Sequence, residues 1–356
     1  MNTFKRLGLA FAAFAVLGAC QSGDSSDEIM PGMVATPYSR TAYPMGTIIT
    51  LEIFDEGKGH VLDLAMDRIL ELEELLNVNE ESGTENSEVE LINANAGVQP
   101  VQVSEDTFYL IQQAMDFSHE SGGIFNATIG ALTQLWHIGF SDARRPADAE
   151  ISATLPLLDF NHVALDETQR TVFLEETGMR FDLGAIAKGF IADEVVEVLL
   201  DNGVTSAVVN LGGDLFVIGY NFRGNPRRIG IQNPFSGRSR ESVVTFLASD
   251  QAVVTSGVYE RYFEYEGRTY HHILNAKTGF PFDNDVAGVT IVSNSTLAGD
   301  KYTTLAFGLG VSDGLAAIEA LDGIEAIFIN YDQEIFVTSG LRGEIRLENE
   351  EFILRD

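Results

Sequence analysis

A chain of 356 residues with 45 % hydrophobic content is long enough for one large domain or two ordinary ones and can fill real cores. Its 22 Lys and Arg stand against 53 Asp and Glu, a formal charge of −31. That charge repels polyphosphates and anionic lipid surfaces and argues against a DNA or RNA partner, while keeping a folded surface well solvated.

Taken in chain order, residues 1–19 read as a secretion signal: Lys5 and Arg6, an apolar run from Leu7, then small residues, too short to persist as a spanning helix. Leu17-Gly18-Ala19-Cys20 resembles the bacterial lipobox, in which the cysteine is lipidated and becomes the new N-terminus. Cys20 is the only cysteine, so no disulfide or thiolate metal site is expected. The expectation is an extracytoplasmic protein anchored to the membrane through acyl chains on Cys20. Residues 20–44, polar and turn-rich, read as a tether, and the folded domain is expected over 45–356.

Within that domain, 46–54 has strand composition and 59–78 places apolar residues at helical spacing. Ser87 with Glu90 predicts a capping box before a short helix, and Ser104 a third helix that stops at Gly122-Gly123. A helix is expected over 182–203, ended by Gly203. It is followed by two strands separated by Gly212-Gly213. Further strands fit 227–232, 242–249, 252–257, 261–267 and 286–293, and helices fit 297–309 and 312–321. Strands and helices mixed without a regular βαβ period argue for an α+β fold.

Several familiar sites are missing. The chain has no G-x-G-x-x-G after a strand, no P-loop and no H-E-x-x-H. Lys277-Thr278-Gly279 matches one penicillin-binding element, but no S-x-x-K accompanies it. Asp300 and Thr304, spaced i, i+4, put a carboxylate and a hydroxyl on one helix face, where they could share a hard cation; a first-turn acid and a surface threonine would read the same way. Lys188, in "GAIAKG", lies at the mouth of a helix, where dipole and free N–H groups favour anions. Asp182 just before it could be the helix N-cap. Gly212-Gly213-Asp214 interrupts an apolar strand, which suits either a β-bulge or a close ligand.

Taken together, "MGT" (45–47), "SEVELIN" (87–93), "GGIFNATIGALTQLW" (122–136), "DLGAIAKGFIAD" (182–193), "VNLGGDLFVIG" (209–219), "TSGVYERYF" (255–263), "HHILNAKTGFP" (271–281) and "AGDKYTTLAFGLG" (298–310) resemble, in order, the bacterial FAD:protein FMN transferases, the ApbE lipoproteins. The resemblance implies a two-lobed fold that binds FAD between the lobes and uses Mg²⁺ to pass the FMN half to a threonine hydroxyl of another protein, releasing AMP. It implies Mg²⁺ ligands at Asp300, Thr304 and the main-chain carbonyl of Ala185, a phosphate contact from Lys188, and His272 as a candidate general base. It further implies cofactor contacts at Met45, Asn79, Ile124, Phe125, Asn126, Asp182, Gly212, Gly213, Asp214, Ser256, Gly257, His272 and Ile273.

Phosphoryl transfer depends mainly on positioning and charge neutralisation, which such residues can supply. The chain departs from the family pattern at Asn126, where most relatives have aspartate, and at Asn275-Ala276, where the family continues Asp-Pro. Asn79 stands in place of a tyrosine that packs on the cofactor, and relatives with asparagine there are associated with splitting FAD into FMN and AMP. Two alternatives therefore stand beside transfer: FAD hydrolysis, and a lipoprotein that only binds flavin. The chain has no acceptor-like Asp/Ser-Gly-Ala/Ser-Thr stretch of its own, so the acceptor is expected in trans.

Overall fold

The computed structural model describes residues 29–78, 87–237 and 241–355. Among these, nine strands form one sheet whose spatial order follows the chain: Met33–Ala42, Ile49–Asp55, Ala207–Leu211, Asp214–Ile218, Gln251–Gly257, Val286–Ser293, Glu325–Asn330, Glu334–Val337 and Ile353–Arg355. Neighbours are antiparallel throughout, except that the last strand runs parallel to Glu334–Val337. Val286–Ser293 is buried at every position. Its alternate side chains serve two cores: Val289 and Ile291 face the helices, whereas Val292 joins Ile231, Val244 and Phe352 from a smaller sheet on the opposite face.

The helices are α1 (Val61–Leu76), α2 (Glu88–Ala94), α3 (Glu105–Glu120), α4 (Gly130–Trp136), α5 (Asp148–Thr154), α6 (Ala187–Asp201), α7 (Thr296–Leu309) and α8 (Val311–Glu319). The buried stripe of α1, Ala65, Ile69, Leu72 and Leu76, packs with Ile49, Leu51 and Ile53 of the sheet and with α6 in the largest core. Both capping serines serve as the sequence predicts: Ser87 Oγ accepts from Glu90 N at 3.0 Å and Ser104 Oγ from Thr107 N at 3.3 Å. Segments 129–158 and 263–280 form a second mass around Trp136, which is wholly buried and donates from Nε1 to the Gly279 carbonyl at 2.8 Å. Mixed helices and sheets of this kind are the α+β class read from the sequence.

Three differences from the sequence reading have physical causes. The expected tether is strand from Met33 to Ala42. An edge strand exposed on both faces carries no apolar alternation, and Pro37 sits at its irregular register, where no ladder N–H is needed. The helix expected from Asp182 begins only at Ala187; 182–186 is a loop. The Gly212-Gly213 break is a two-residue hairpin turn with φ of 65° and 109°, a conformation that favours glycine, rather than a bulge. Helices α4 and α5 had no distinct signal in the sequence, because each is only seven residues long.

Asp55 closes the sheet at its buried end, its carboxylate accepting from Thr205 N (3.1 and 3.0 Å), Thr205 Oγ1 (2.6 Å) and Ser206 N (2.9 Å). Truncating it strands these donors. Asp55→Ala is expected to lower stability by about 2–4 kcal/mol in urea unfolding, without changing the cleft described next.

Candidate active site

A cleft of ≈ 680 Å³ lies between the sheet body and the mass around Trp136, within the range of small-molecule sites. Its floor is made where α6 crosses α7. Gly189 N donates to Asp300 Oδ2 at 2.7 Å, and a Cβ on Gly189 would stand 2.5 Å from the Thr296 carbonyl oxygen. Only glycine allows this approach. In return, Asp193 of α6 accepts from Ser295 Oγ (2.7 Å), Thr296 N (2.7 Å) and Leu297 N (3.0 Å), so each helix supplies a carboxylate to the other's first turn.

Lys188, second residue of α6, extends from this crossing and pairs with the buried carboxylate of Asp214 at 2.6 Å. Burial opposes its charge, but Asp214 and Asp300 outweigh that and hold the ammonium above the ordinary lysine range. Burial, with the nearby Asp214 charge, pushes the Asp300 carboxyl well above its ordinary value. Two carboxylates against one ammonium leave the floor short of positive charge.

Asp300, Thr304 and Ala185 all line the cleft, with Thr304 Oγ1 donating to the Asp300 carbonyl at 3.3 Å. Among the described residues no group of three or more His, Cys, Asp or Glu could enclose a metal. An oxygen set with a single carboxylate suits only a hard cation that keeps its other positions for water or phosphate. The N-cap residue of α6, Ile186, makes no side-chain cap; Asp300 takes the Gly189 N–H and the Leu183 carbonyl the Ala187 N–H.

His272 lines the opposite wall. Its Nδ1 lies 3.2 Å from the Arg261 carbonyl oxygen, which can only accept, so the ring proton sits on Nδ1 and Nε2 keeps its lone pair. Burial first, and then the Arg261 charge, lower its pKa to about 3. His271 is different: its Nε2 donates to the Phe282 carbonyl at 2.9 Å and its Nδ1 accepts from Ile273 N at 3.3 Å, so both nitrogens hold the strand end in place. In the turn that follows, Asn275 Oδ1 accepts from Lys277 N at 2.9 Å, a role the family's aspartate could equally fill.

Of the other residues singled out from the sequence, Met45, Ile124, Phe125 and Ile273 line the cleft. Met45 adopts a left-handed φ of 55°, its N–H donating to the Glu73 carboxylate. Phe125 meets Phe117 edge to face. Asn126 and Asp182 also reach the cleft, but their polar atoms are already engaged. Asn126 Nδ2 donates to the Leu158 carbonyl at 2.9 Å, and its Oδ1 accepts from Thr128 N and Oγ1. Asp182 accepts from Gly184 N at 2.9 Å and from Thr133 Oγ1 at 2.7 Å; it is a turn former, and the N-cap of α6 is Ile186.

Gly212 and Ser256 line the cleft, whereas Gly213, Asp214 and Gly257 do not. Gly213 faces open space, Asp214 lies behind Lys188, and Gly257 is covered by the Tyr259 ring. Asn79 and Cys20 fall outside the described residues.

Sequence reasoning gave no role to Glu73, Asp193, Glu260 and Arg261, although Asp193 ends the quoted "DLGAIAKGFIAD" stretch and the last two stand inside "TSGVYERYF". Glu260 opens onto the cleft between protein walls. Desolvation, with a contribution from Asp214, pushes its carboxyl up to about 7. Glu260 and Arg261 are both exposed at the edge of the cleft, and charged residues beside a strand end carry no local sign of a cleft next to them.

Fold and cleft together define a mixed α+β protein with Lys188, Asp300, Thr304 and His272 on the lining of one cleft. The chain belongs to the ApbE family, whose sequence model matches residues 45–328. It is 41 % identical over 305 residues to an FAD:protein FMN transferase of Klebsiella pneumoniae (strain 342), covering 86 % of this chain and 93 % of the relative. With a Treponema pallidum (strain Nichols) protein of the same name it shares 33 % over 331 residues, 89 % and 91 % of the two chains. The crystal structure of the ApbE protein from Thermotoga maritima superposes with a TM-score of 0.79 at 27 % identity, covering 87 % of this chain and all of that one.

The histidine wall has a direct consequence. With a folded pKa of about 3 against about 6.5 in the unfolded chain, His272 contributes no penalty above pH 6.5 and destabilises the fold as pH falls from there towards 3. NMR of the ligand-free protein is expected to show the His272 ring neutral at pH 5, in the Nδ1–H tautomer. A ring titrating near 6.5 would contradict this account of the wall.

Proposed function

We propose that this protein is an Mg²⁺-dependent FAD:protein FMN transferase. It passes the FMN half of FAD to a threonine hydroxyl of a separate protein and releases AMP. The reading is carried by the convergence of Lys188, Asp300, Thr304 and His272 on one cleft, in a member of a family whose relatives bear that name.

Asp300, Thr304 and the Ala185 carbonyl would hold Mg²⁺, which when bound supplies charge neutralisation to the diphosphate. Lys188, held rigid by Asp214, presents its ammonium to the same anion. The positive end of the α6 dipole, where Lys188 sits, favours the same anion. His272 takes the threonine proton on Nε2 as the threonine oxygen bonds to the FMN phosphorus and the bond to the AMP oxygen breaks. An imidazole near pKa 3 is a weak base in the empty cleft, but the negative charge of a bound diphosphate raises its proton affinity, so base strength follows occupancy.

The test is to incubate the protein with FAD, Mg²⁺ and an acceptor carrying the threonine motif, and to weigh acceptor and nucleotides by mass spectrometry. The expected result is one FMN added to the acceptor and one AMP released. FMN and AMP with an unmodified acceptor would mean hydrolysis, and intact FAD would mean a binding protein. Asp300→Ala is expected to lower kcat by about 100-fold or more and to abolish the Mg²⁺ dependence. Transfer persisting at the wild-type rate and metal requirement would refute the assigned cation site.

We further place the mature chain outside the cytoplasm, held by lipid on Cys20; residues 1–20 support this reading. Among the described residues no helix is long and apolar enough to cross a membrane. Cys20→Ser is expected to leave the protein misprocessed or released on fractionation. A wild-type N-terminal peptide of unmodified mass would end the anchor proposal.

A further inference from the structure

The cations of the cleft are not equivalent. Lys188 is already bound to Asp214 at 2.6 Å, so much of its charge is answered before any ligand arrives. Arg261 lines the same cleft, and among the described residues no salt bridge engages its guanidinium. Arg261 is exposed at the edge of the cleft, so its guanidinium is free to meet an anionic ligand there.

Its placement is specific. The side-chain stem lies over the loop after α4, where a Cβ on Gly139 would come within 3.0 Å of Arg261 Cδ, and Gly139 has a φ of 100°. The Arg261 carbonyl accepts from both His272 N, at 3.1 Å, and His272 Nδ1, at 3.2 Å. Arg261 is thereby tied to the residue that faces the reacting hydroxyl.

Resting on the flavin-transfer reading, we infer that Arg261 is a diphosphate-binding residue, placing a second, uncompensated cation on the phosphoryl group that His272 faces. Guanidinium suits this task because its planar fork can hold two phosphate oxygens at once, which an ammonium cannot. The charged groups around it are Glu260, Lys188 and His272. Glu260, raised to about 7, answers only part of the arginine's charge near neutrality, and the neutral His272 adds no competing cation. As the bond to the leaving AMP breaks, charge grows on the oxygen that bridged the two phosphates. Arg261 and Lys188, both on the cleft lining, are available to meet it.

The test is calorimetric binding of FAD, ADP and riboflavin to the full-length protein and to Arg261→Ala and Arg261→Lys, at fixed Mg²⁺, together with steady-state transfer. Arg261→Ala is expected to weaken FAD and ADP by about 10- to 100-fold and to lower kcat, while riboflavin, which has no phosphate, binds as before. Arg261→Lys should recover part of the nucleotide affinity but less of kcat, because charge is kept and the fork is lost. Nucleotide affinities within twofold of wild type in Arg261→Ala would overturn the assignment, and so would an effect confined to the KM of the acceptor. Equal weakening of riboflavin would also overturn it, by showing a general loss of cleft shape. Wild-type protein that binds neither FAD nor ADP would remove the flavin reading itself, a result distinct from any difference between variants.

Discussion

The site depends on the reciprocal contact between α6 and α7. Asp300 of α7 accepts from the Gly189 N–H in the first turn of α6, and Asp193 of α6 accepts from the first turn of α7. Each carboxylate satisfies donors that a helix start otherwise leaves open, and each lies at the positive end of the other helix's dipole. The arrangement requires the backbones to touch, so position 189 has room for hydrogen alone. Lys188 and Asp300, far apart in sequence, are therefore fixed relative to one another by main-chain geometry rather than by flexible side chains. Precision of that kind is what a reaction governed by charge placement needs.

A second consequence is the distribution of charge. The floor gathers Asp214, Asp300 and Lys188, which leaves it poor in positive charge, while the far wall carries Arg261 and an imidazole kept neutral by burial and by that arginine. On the proposed reading, an incoming diphosphate with a hard cation would balance both sides: the cation would answer Asp300, and the anion Arg261. On that same reading, binding also restores basicity to His272, so the proposed base becomes competent when the electrophile is present. This limits wasteful proton transfer without any moving lid.

Much of this was legible in the chain. The amphipathic stripe of α1, the two serine caps and the strand runs follow from periodicity and capping chemistry, which act over a few residues and leave local traces. Glycine-rich breaks flagged the right places but not their geometry: Gly212-Gly213 forms a hairpin turn, and the segment from Asp182 is a loop held by Thr133 before the helix begins. The edge strand Met33–Ala42 left no trace, because a strand without a buried face has no pattern to show.

The amino-acid sequence by itself determined the α+β class and the family and put forward Lys188, Asp300, Thr304 and His272 as the groups proposed to carry chemistry, since residue type and local spacing are enough for that. Tertiary structure alone decided which of those groups are available. It placed Asp214 behind Lys188, occupied both ends of the Asn126 amide, gave His271 to the backbone while leaving His272 Nε2 open, and laid the stem of Arg261 over Gly139 at the edge of the cleft. The physical reason is that availability depends on partners distant in the chain. A carboxylate, amide or imidazole is free or committed according to what the fold brings within about 3 Å of it, and no local pattern records that.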